Sequence, residues 1–204
     1  MIRTDTLVIL LPGAYDTPAD FSAHGFDTLA TAAGIDLRTH PTDLNAVVDG
    51  SLVHALHAEV VQPARAAGHA RILLGGISIG GLTAMTYADS YPGSVDGLVL
   101  LAPYPGNRSI TGAIAAAGGL AGWTPGALPA ADGELRGWRA LQALARRSPA
   151  AIRLGYGEQD RFAGAHAMMA AALPPAQVHT APGGHDWPTW RALWQAMLAA
   201  GLGR

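Results

Sequence analysis

Six short apolar runs, each followed by a turn and a helix-like stretch, leave this chain few ways to fold. The runs fall at residues 6–11, 35–40, 71–75, 95–101, 151–155 and 177–180. The first, Thr6-Leu7-Val8-Ile9-Leu10-Leu11, is nearly continuous in apolar residues, as expected of a parallel strand covered on both faces. Helices are predicted over 18–33, 50–67, 82–90, 163–173 and 187–200, with Gly34 and Gly68 as stops after the first two. This alternation implies an α/β fold: a doubly wound, mostly parallel sheet of about six strands with helices on both faces. Ligands of such sheets bind beyond the carboxyl ends of the strands, so the loops that leave those ends are where chemistry is expected.

One segment breaks the alternation. Residues 105–148 separate the fourth and fifth strands; their first half is mostly Gly and Ala, and 134–146 is predicted helical. A connection of this length is usually functional or mobile. It reads equally as a small lid insertion over the site and as a crossover helix with a loose approach. The 204 residues otherwise suit a single domain, 1–204.

Composition removes several chemistries. The chain has no cysteine, which excludes a thiolate nucleophile, a disulfide framework and a Cys-ligated metal. All 13 basic residues are arginine, which excludes a P-loop lysine, a Schiff-base lysine and a Ser-Lys dyad. The formal net charge of −2 gives no reason to expect nucleic acid or an anionic membrane as partner. No apolar run approaches the roughly 20 residues of a membrane span, and the start of the chain shows no signal-peptide pattern, so the expected compartment is the cytoplasm. His179, His185 and Asp186 are close in sequence but match no metal-ligand spacing, and neither a metal nor a cofactor is expected.

The third strand ends in Gly75-Gly76-Ile77-Ser78-Ile79-Gly80-Gly81, a G-x-S-x-G between a strand and a helix. A serine at such a turn is pushed clear of the sheet with its hydroxyl free, and glycines let the neighbouring backbone pass close by. Serine needs a base, and the base needs an orienting acid. Of the eight histidines, His185, in PGGHDW, is the one that lies in a loop between a strand's carboxyl end and a helix. His54 and His57 read as the polar side of a helix; His24, His69 and His166 as helix or loop surface; His40 and His179 as strand residues. The acid is read as Asp160, in GYGEQDRF after the fifth strand, with Glu158 the rival and Asp186 disfavoured because it adjoins His185. The Ile79 N–H at the start of the helix and a donor from the loop after the first strand, Ala14 ahead of Tyr15, would make the oxyanion hole.

The loop LLPGAYD, the elbow GISIGG and the turns GYGEQD and PGGHDW, in this order, resemble the α/β-hydrolase superfamily over essentially the whole chain. That resemblance implies Ser78 as nucleophile, Asp160 as acid, His185 as base, and Ala14 and Ile79 as oxyanion donors. The tail GGHDWPTWRALWQAML is similar to the esterase branch that includes feruloyl and enterochelin esterases and mycolyltransferases, where a Trp commonly follows the catalytic His. Pro12-Gly13 stands where the family usually has His-Gly, which leaves a backbone donor intact. The family's two opening antiparallel strands and a full helical cap are missing, as in a minimal hydrolase with an open or lightly covered site.

The expected activity is hydrolysis of a small-molecule carboxylic ester or thioester through an acyl-serine. The alternatives are acyl transfer by the same triad and a binding module that turns nothing over. Tyr15, Tyr104, Trp123 and Trp187 are candidates to line an apolar pocket, although core packing is the commoner fate of such side chains. With no basic cluster near the site loops a large anionic substrate is disfavoured, although Arg108 and Arg161 are near enough to bind one carboxylate.

Overall fold

The computed structural model describes residues 5–129 and 132–202. Residues 1–4, which begin the stretch read for a signal peptide, residues 130–131, inside the 105–148 segment, and residues 203–204 lie outside the described residues. Six strands form one sheet: β1 Thr6–Leu11, β2 Asp36–Thr39, β3 Arg71–Ile77, β4 Gly97–Leu101, β5 Ile152–Gly157 and β6 Val178–Ala181. Their order is β2-β1-β3-β4-β5-β6 and every pair is parallel. The alternating strand–helix pattern therefore gives the architecture it implied.

The helices are α1 Pro18–Ala23, α2 Phe26–Ala32, α3 Leu44–Val48, α4 Ser51–Ala55, α5 Gln62–Ala66, α6 Ile79–Ser90, α7 Arg108–Ala116, α8 Gly133–Arg147, α9 Ala163–Ala170 and α10 Trp187–Ala199. A π-helical stretch, Leu56–Val61, joins α4 to α5. Along β1 the side chains alternate between layers: Leu7, Ile9 and Leu11 join the core under α4 to α6 and α8, while Val8 and Leu10 join the core under α1, α2 and α10. Both faces are thus apolar, and the strand reads as an unbroken run because the two alternating sets are both buried. No helix among the described residues is long and apolar enough to cross a membrane.

Three local expectations are corrected. The helix predicted over 18–33 is two helices, broken at Gly25, whose φ of 75° belongs to the left-handed region. The stretch before 50 carries a short helix, α3, capped by Asp43, whose carboxylate accepts from the Asn45 and Ala46 N–H groups. The Gly- and Ala-rich start of 105–148 contains α7, capped in the same way by Asn107. In the same segment α8 lies against α6 and its Trp138 is fully buried, with the indole N–H donating to the Pro105 carbonyl.

Candidate active site

Strand register brings the four marked loops to one rim. Leu11 pairs with Gly76, Ile77 with Leu101, and Gly157 with Ala181. The loop after β1 therefore leaves the sheet beside the turn bearing Ser78, and the loops bearing Asp160 and His185 leave side by side.

Ser78 joins β3 to α6 with φ 53° and ψ −116°, a conformation that costs a residue with a Cβ about 1–3 kcal/mol. Neighbouring strands and loops hold it there. Its N–H donates to the Leu101 carbonyl at 3.1 Å, and its own carbonyl accepts from Leu82 N at 3.1 Å and Tyr104 N at 2.8 Å. The glycines on either side are sterically required. A Cβ on Gly76 would sit 2.5 Å from the Leu11 carbonyl oxygen, and one on Gly80 would run into the same oxygen and lie 2.7 Å from that of Pro12. The end of β1 can press against the elbow only because both positions lack a side chain.

Asp160 is 5% exposed, and both its oxygens are engaged: Oδ2 accepts from His185 Nδ1 at 2.7 Å, and Oδ1 accepts from the Phe162 N–H at 2.8 Å. Burial pushes its carboxyl up, but the His185 and Phe162 bonds outweigh it and hold the group below the ordinary carboxylate range. The loops carrying acid and base are stitched together by Glu158 N to Ala181 O at 2.9 Å, Gln159 N to Gly183 O at 2.9 Å and Gly183 N to the Gln159 side chain at 2.5 Å. Gly157 allows this approach, since a Cβ there would strike the Gly183 carbonyl. Glu158 points to solvent, and Asp186 caps α10 by accepting from the Thr189 N–H at 3.0 Å. Neither carboxylate is bonded to His185.

The His185 ring is fixed edge-on between Phe162, 5.4 Å away, and Trp190, 5.1 Å away. Phe162 also packs against Tyr104 at 5.6 Å, the residue whose N–H holds the Ser78 carbonyl. One aromatic pair thus links the base to the elbow. Among the described residues the Ser78 hydroxyl makes no hydrogen bond, so its link to His185 stays open, as is common before substrate binds.

The candidate oxyanion donors belong to the loop after β1 and to the start of α6, which meet where Gly80 lies against Leu11 and Pro12. Ile79 N belongs to the first turn of α6, where helices leave N–H groups unpaired and the dipole is positive. Ala14 sits in a turn closed by Asp16 N to Gly13 O at 3.3 Å and tied to the chain by Thr42 Oγ1 to Pro12 O at 3.1 Å. Trp187 fixes the same turn, donating from its indole to Asp16 Oδ1 at 3.0 Å. Its ring is stacked on His24 at 4.5 Å and boxed by Phe21, Phe26 and Trp190. The Trp187 side chain is thus committed to packing and to Asp16. Trp123 is buried in the core, Tyr104 is half-buried, and Tyr15, at 98% exposure, has no wall around it.

Two histidines read as surface are not. His69 is buried, and His166 on α9 is fully buried with Nε2 bonded to the Pro103 carbonyl at 2.9 Å. Burial holds the His166 imidazole below its usual range, against the opposing pull of that carbonyl and of Asp160. Donation from neutral His166 pins the loop after β4, whose Pro103 a Cβ on Gly81 would meet at 2.9 Å. No local pattern marked this residue, because α9 (AGAHAMMA) is small and apolar on every side. His54, exposed, and His57, half-buried, lie on the polar side as read and pair with Tyr91 at 2.6 Å and Tyr87 at 2.8 Å.

The sequence model of the family described as serine aminopeptidase, S33, matches residues 19–136. No curated protein matches the chain. Among solved structures the chain is similar to Est1E from Butyrivibrio proteoclasticus, with a TM-score of 0.65 and 18% identity over 97% of this chain and 88% of that one. It is similar to FphF, a fluorophosphonate-binding serine hydrolase of Staphylococcus aureus, at 0.65 and 14% over 96% and 82%. It is similar to a ferulic acid esterase at 0.62 and 14% over 100% and 87%. These likenesses show the α/β-hydrolase fold. The family match takes in more than half of the chain and includes the Ser78 elbow, so the chain belongs to the serine aminopeptidase, S33, family of α/β-hydrolases.

Proposed function

We propose that the protein is a serine esterase or thioesterase acting on a small molecule, with Ser78, His185 and Asp160 as its triad. The observation that carries this is the 2.7 Å Asp160–His185 bond, at the rim where Ser78 is held strained and outward. Asp160 fixes the proton on Nδ1, which leaves Nε2 of His185 free to accept. Ser78 Oγ attacks the substrate carbonyl as His185 takes its proton. The carbonyl oxygen becomes an oxyanion beside the Ala14 and Ile79 N–H groups. The bond to the leaving oxygen or sulfur then breaks, and His185 passes that atom the proton. Water, deprotonated by His185, cleaves the acyl-serine and restores Ser78.

The name of one similar solved structure, a ferulic acid esterase, supports ester hydrolysis. The start of the 105–148 segment borders the site at Tyr104 and is read as its partial cover. The test is turnover of p-nitrophenyl butyrate, together with labelling by a fluorophosphonate probe. Wild type should turn over and label, and Ser78→Ala should do neither. Equal turnover by both proteins would remove Ser78 from the chemistry, and an unlabelled, inactive but folded wild type would favour a binding module. Leucine p-nitroanilide tests the amide chemistry in the family's name; faster turnover of that amide than of the ester would overturn the ester reading.

A further inference from the structure

Two cavities border neighbours of the proposed triad, one at Ile79 and one at Phe162, and the charged side chains lining them are of opposite sign. One, of about 540 Å³, is lined by Ile79, Val47, Val48, Leu82, Asp132 and Glu134. The other, of about 600 Å³, is lined by Arg108, Arg161, Phe162 and Met168. Both lie within the roughly 300–1,000 Å³ of small-molecule sites. The chain between them is the loop after β4: Pro105, Gly106 and Arg108 face the second cavity and Asn107 the first. That loop begins at Tyr104, whose N–H holds the Ser78 carbonyl. The first cavity therefore touches the elbow at Ile79, and the second reaches the site through Phe162, whose ring packs against Tyr104 and His185.

Chemistry assigns the two sides. The leaving atom must lie at the histidine that protonates it, which leaves the cavity at Ile79, across the loop after β4, for the acyl group. The cavity at Phe162, whose ring meets the edge of His185, is on the leaving-group side.

On the acyl side the polar wall atoms are largely satisfied. Thr83 and Thr86 donate to backbone carbonyls, Asp132 caps α8, and Glu134 accepts from both the backbone and side-chain N–H groups of Asn107. Neither carboxylate is in an ion pair among the described residues. That wall is apolar apart from two carboxylates that have no cationic side chain as partner among the described residues. On the leaving-group side neither Arg108 nor Arg161 is in an ion pair among the described residues. The Arg161 guanidinium is held over the Phe162 ring, 4.9 Å from its centroid.

We propose that the substrate carries its negative charge on the alcohol or thiol portion, bound as a carboxylate or similar anion between Arg108 and Arg161, and that its acyl group is uncharged and apolar. This rests on the esterase reading above. An anionic acyl tail would be driven toward Asp132 and Glu134 with no cation to receive it, whereas an anionic leaving group meets two guanidiniums suited to carboxylate geometry.

Three pairs of measurements test this. Wild type should hydrolyse 3-carboxyphenyl butyrate with a kcat/KM about tenfold above that of the neutral 3-carbamoylphenyl butyrate, mainly through KM, and 0.5 M NaCl should erode the preference. The doubly substituted Arg108→Gln, Arg161→Gln protein should lose the preference. Phenyl hemisuccinate should be cleaved at least tenfold more slowly than phenyl butyrate, and Glu134→Gln should narrow that gap. If phenyl butyrate is cleaved but the carboxylate preference is absent, or survives in the double variant and in salt, the proposal falls while the esterase reading stands. If phenyl butyrate itself is not cleaved, the esterase reading falls and takes this one with it.

Discussion

Replacing Asp160 by Asn separates orientation of the base from the shape of its surroundings. The side chain is buried, with one oxygen on the Phe162 N–H and the other on His185 Nδ1. An asparagine can keep its carbonyl oxygen on Phe162, which turns the amide NH₂ toward His185. Nδ1 then becomes an acceptor and the imidazole proton moves to Nε2, where it cannot take the proton of Ser78. The expected fall in kcat is about 10⁴-fold, or about 5 kcal/mol of barrier. Stability should change far less. One charge-assisted bond becomes a neutral contact, a loss of about 1 kcal/mol, offset by no longer burying a charge; the melting temperature should move by no more than about 4 °C. The assay is p-nitrophenyl butyrate turnover beside a thermal melt, with the solvent-exposed Glu158→Gln as control, expected within about twofold of wild type. A folded Asp160→Asn protein that loses less than tenfold in kcat, or a Glu158→Gln protein that loses more, would refute the assignment of the acid.

Three further outcomes follow from the site. Ser78→Gly should abolish turnover yet raise stability by about 1 kcal/mol, because the strain of φ 53° disappears at a cost in unfolded-chain entropy smaller than the gain; an unchanged or lower melting temperature contradicts the strain. Stability should also depend on pH through His166. Its folded pKa lies below the unfolded 6.5, so the unfolded chain binds the proton first; the contribution is full above about 6.5 and is lost as pH falls toward the folded value. Asp160, held below 3.8, adds a second loss only under about pH 4. The urea midpoint should therefore drop between pH 7.5 and 5.5, and less steeply in His166→Gln; parallel profiles would remove His166 as the cause. Trp187→Phe keeps an aromatic ring in the box but deletes the bond to Asp16, and should lower kcat about tenfold with KM nearly unchanged; equal losses from a distant core substitution such as Leu141→Ala would show only a general loosening.

The sheet was legible because its physics is local. A strand buried on both faces must be apolar at consecutive positions, and β1, β3 and β4 are. The rim was legible because parallel strands joined by right-handed crossovers send every carboxyl end the same way, so the elbow 76–80 and the loops 12–15, 158–160 and 183–186 could be grouped before any contact was known. Gly25 was not legible as a break, since a glycine inside an apolar periodic stretch is often tolerated. The partners of Trp187, His166, His54 and His57 were not legible either. Each is set by a residue far along the chain, such as Asp16, Pro103, Tyr91 or Tyr87, and nothing in the local pattern around either member announces the other.

The bond between Trp187 and Asp16 spans 171 positions of sequence, almost the whole length of the chain. The turn that holds Ala14 is thus braced by a helix far from it in sequence. Closing so long a loop is slow compared with forming the local helices. During refolding, recovery of helical signal should run ahead of recovery of turnover, with the interval set by the arrival of α10 at the first strand. Turnover would then report the docking of α10 onto β1, and a chain in which α10 is undocked would have neither the brace on the Ala14 turn nor Trp190 against His185.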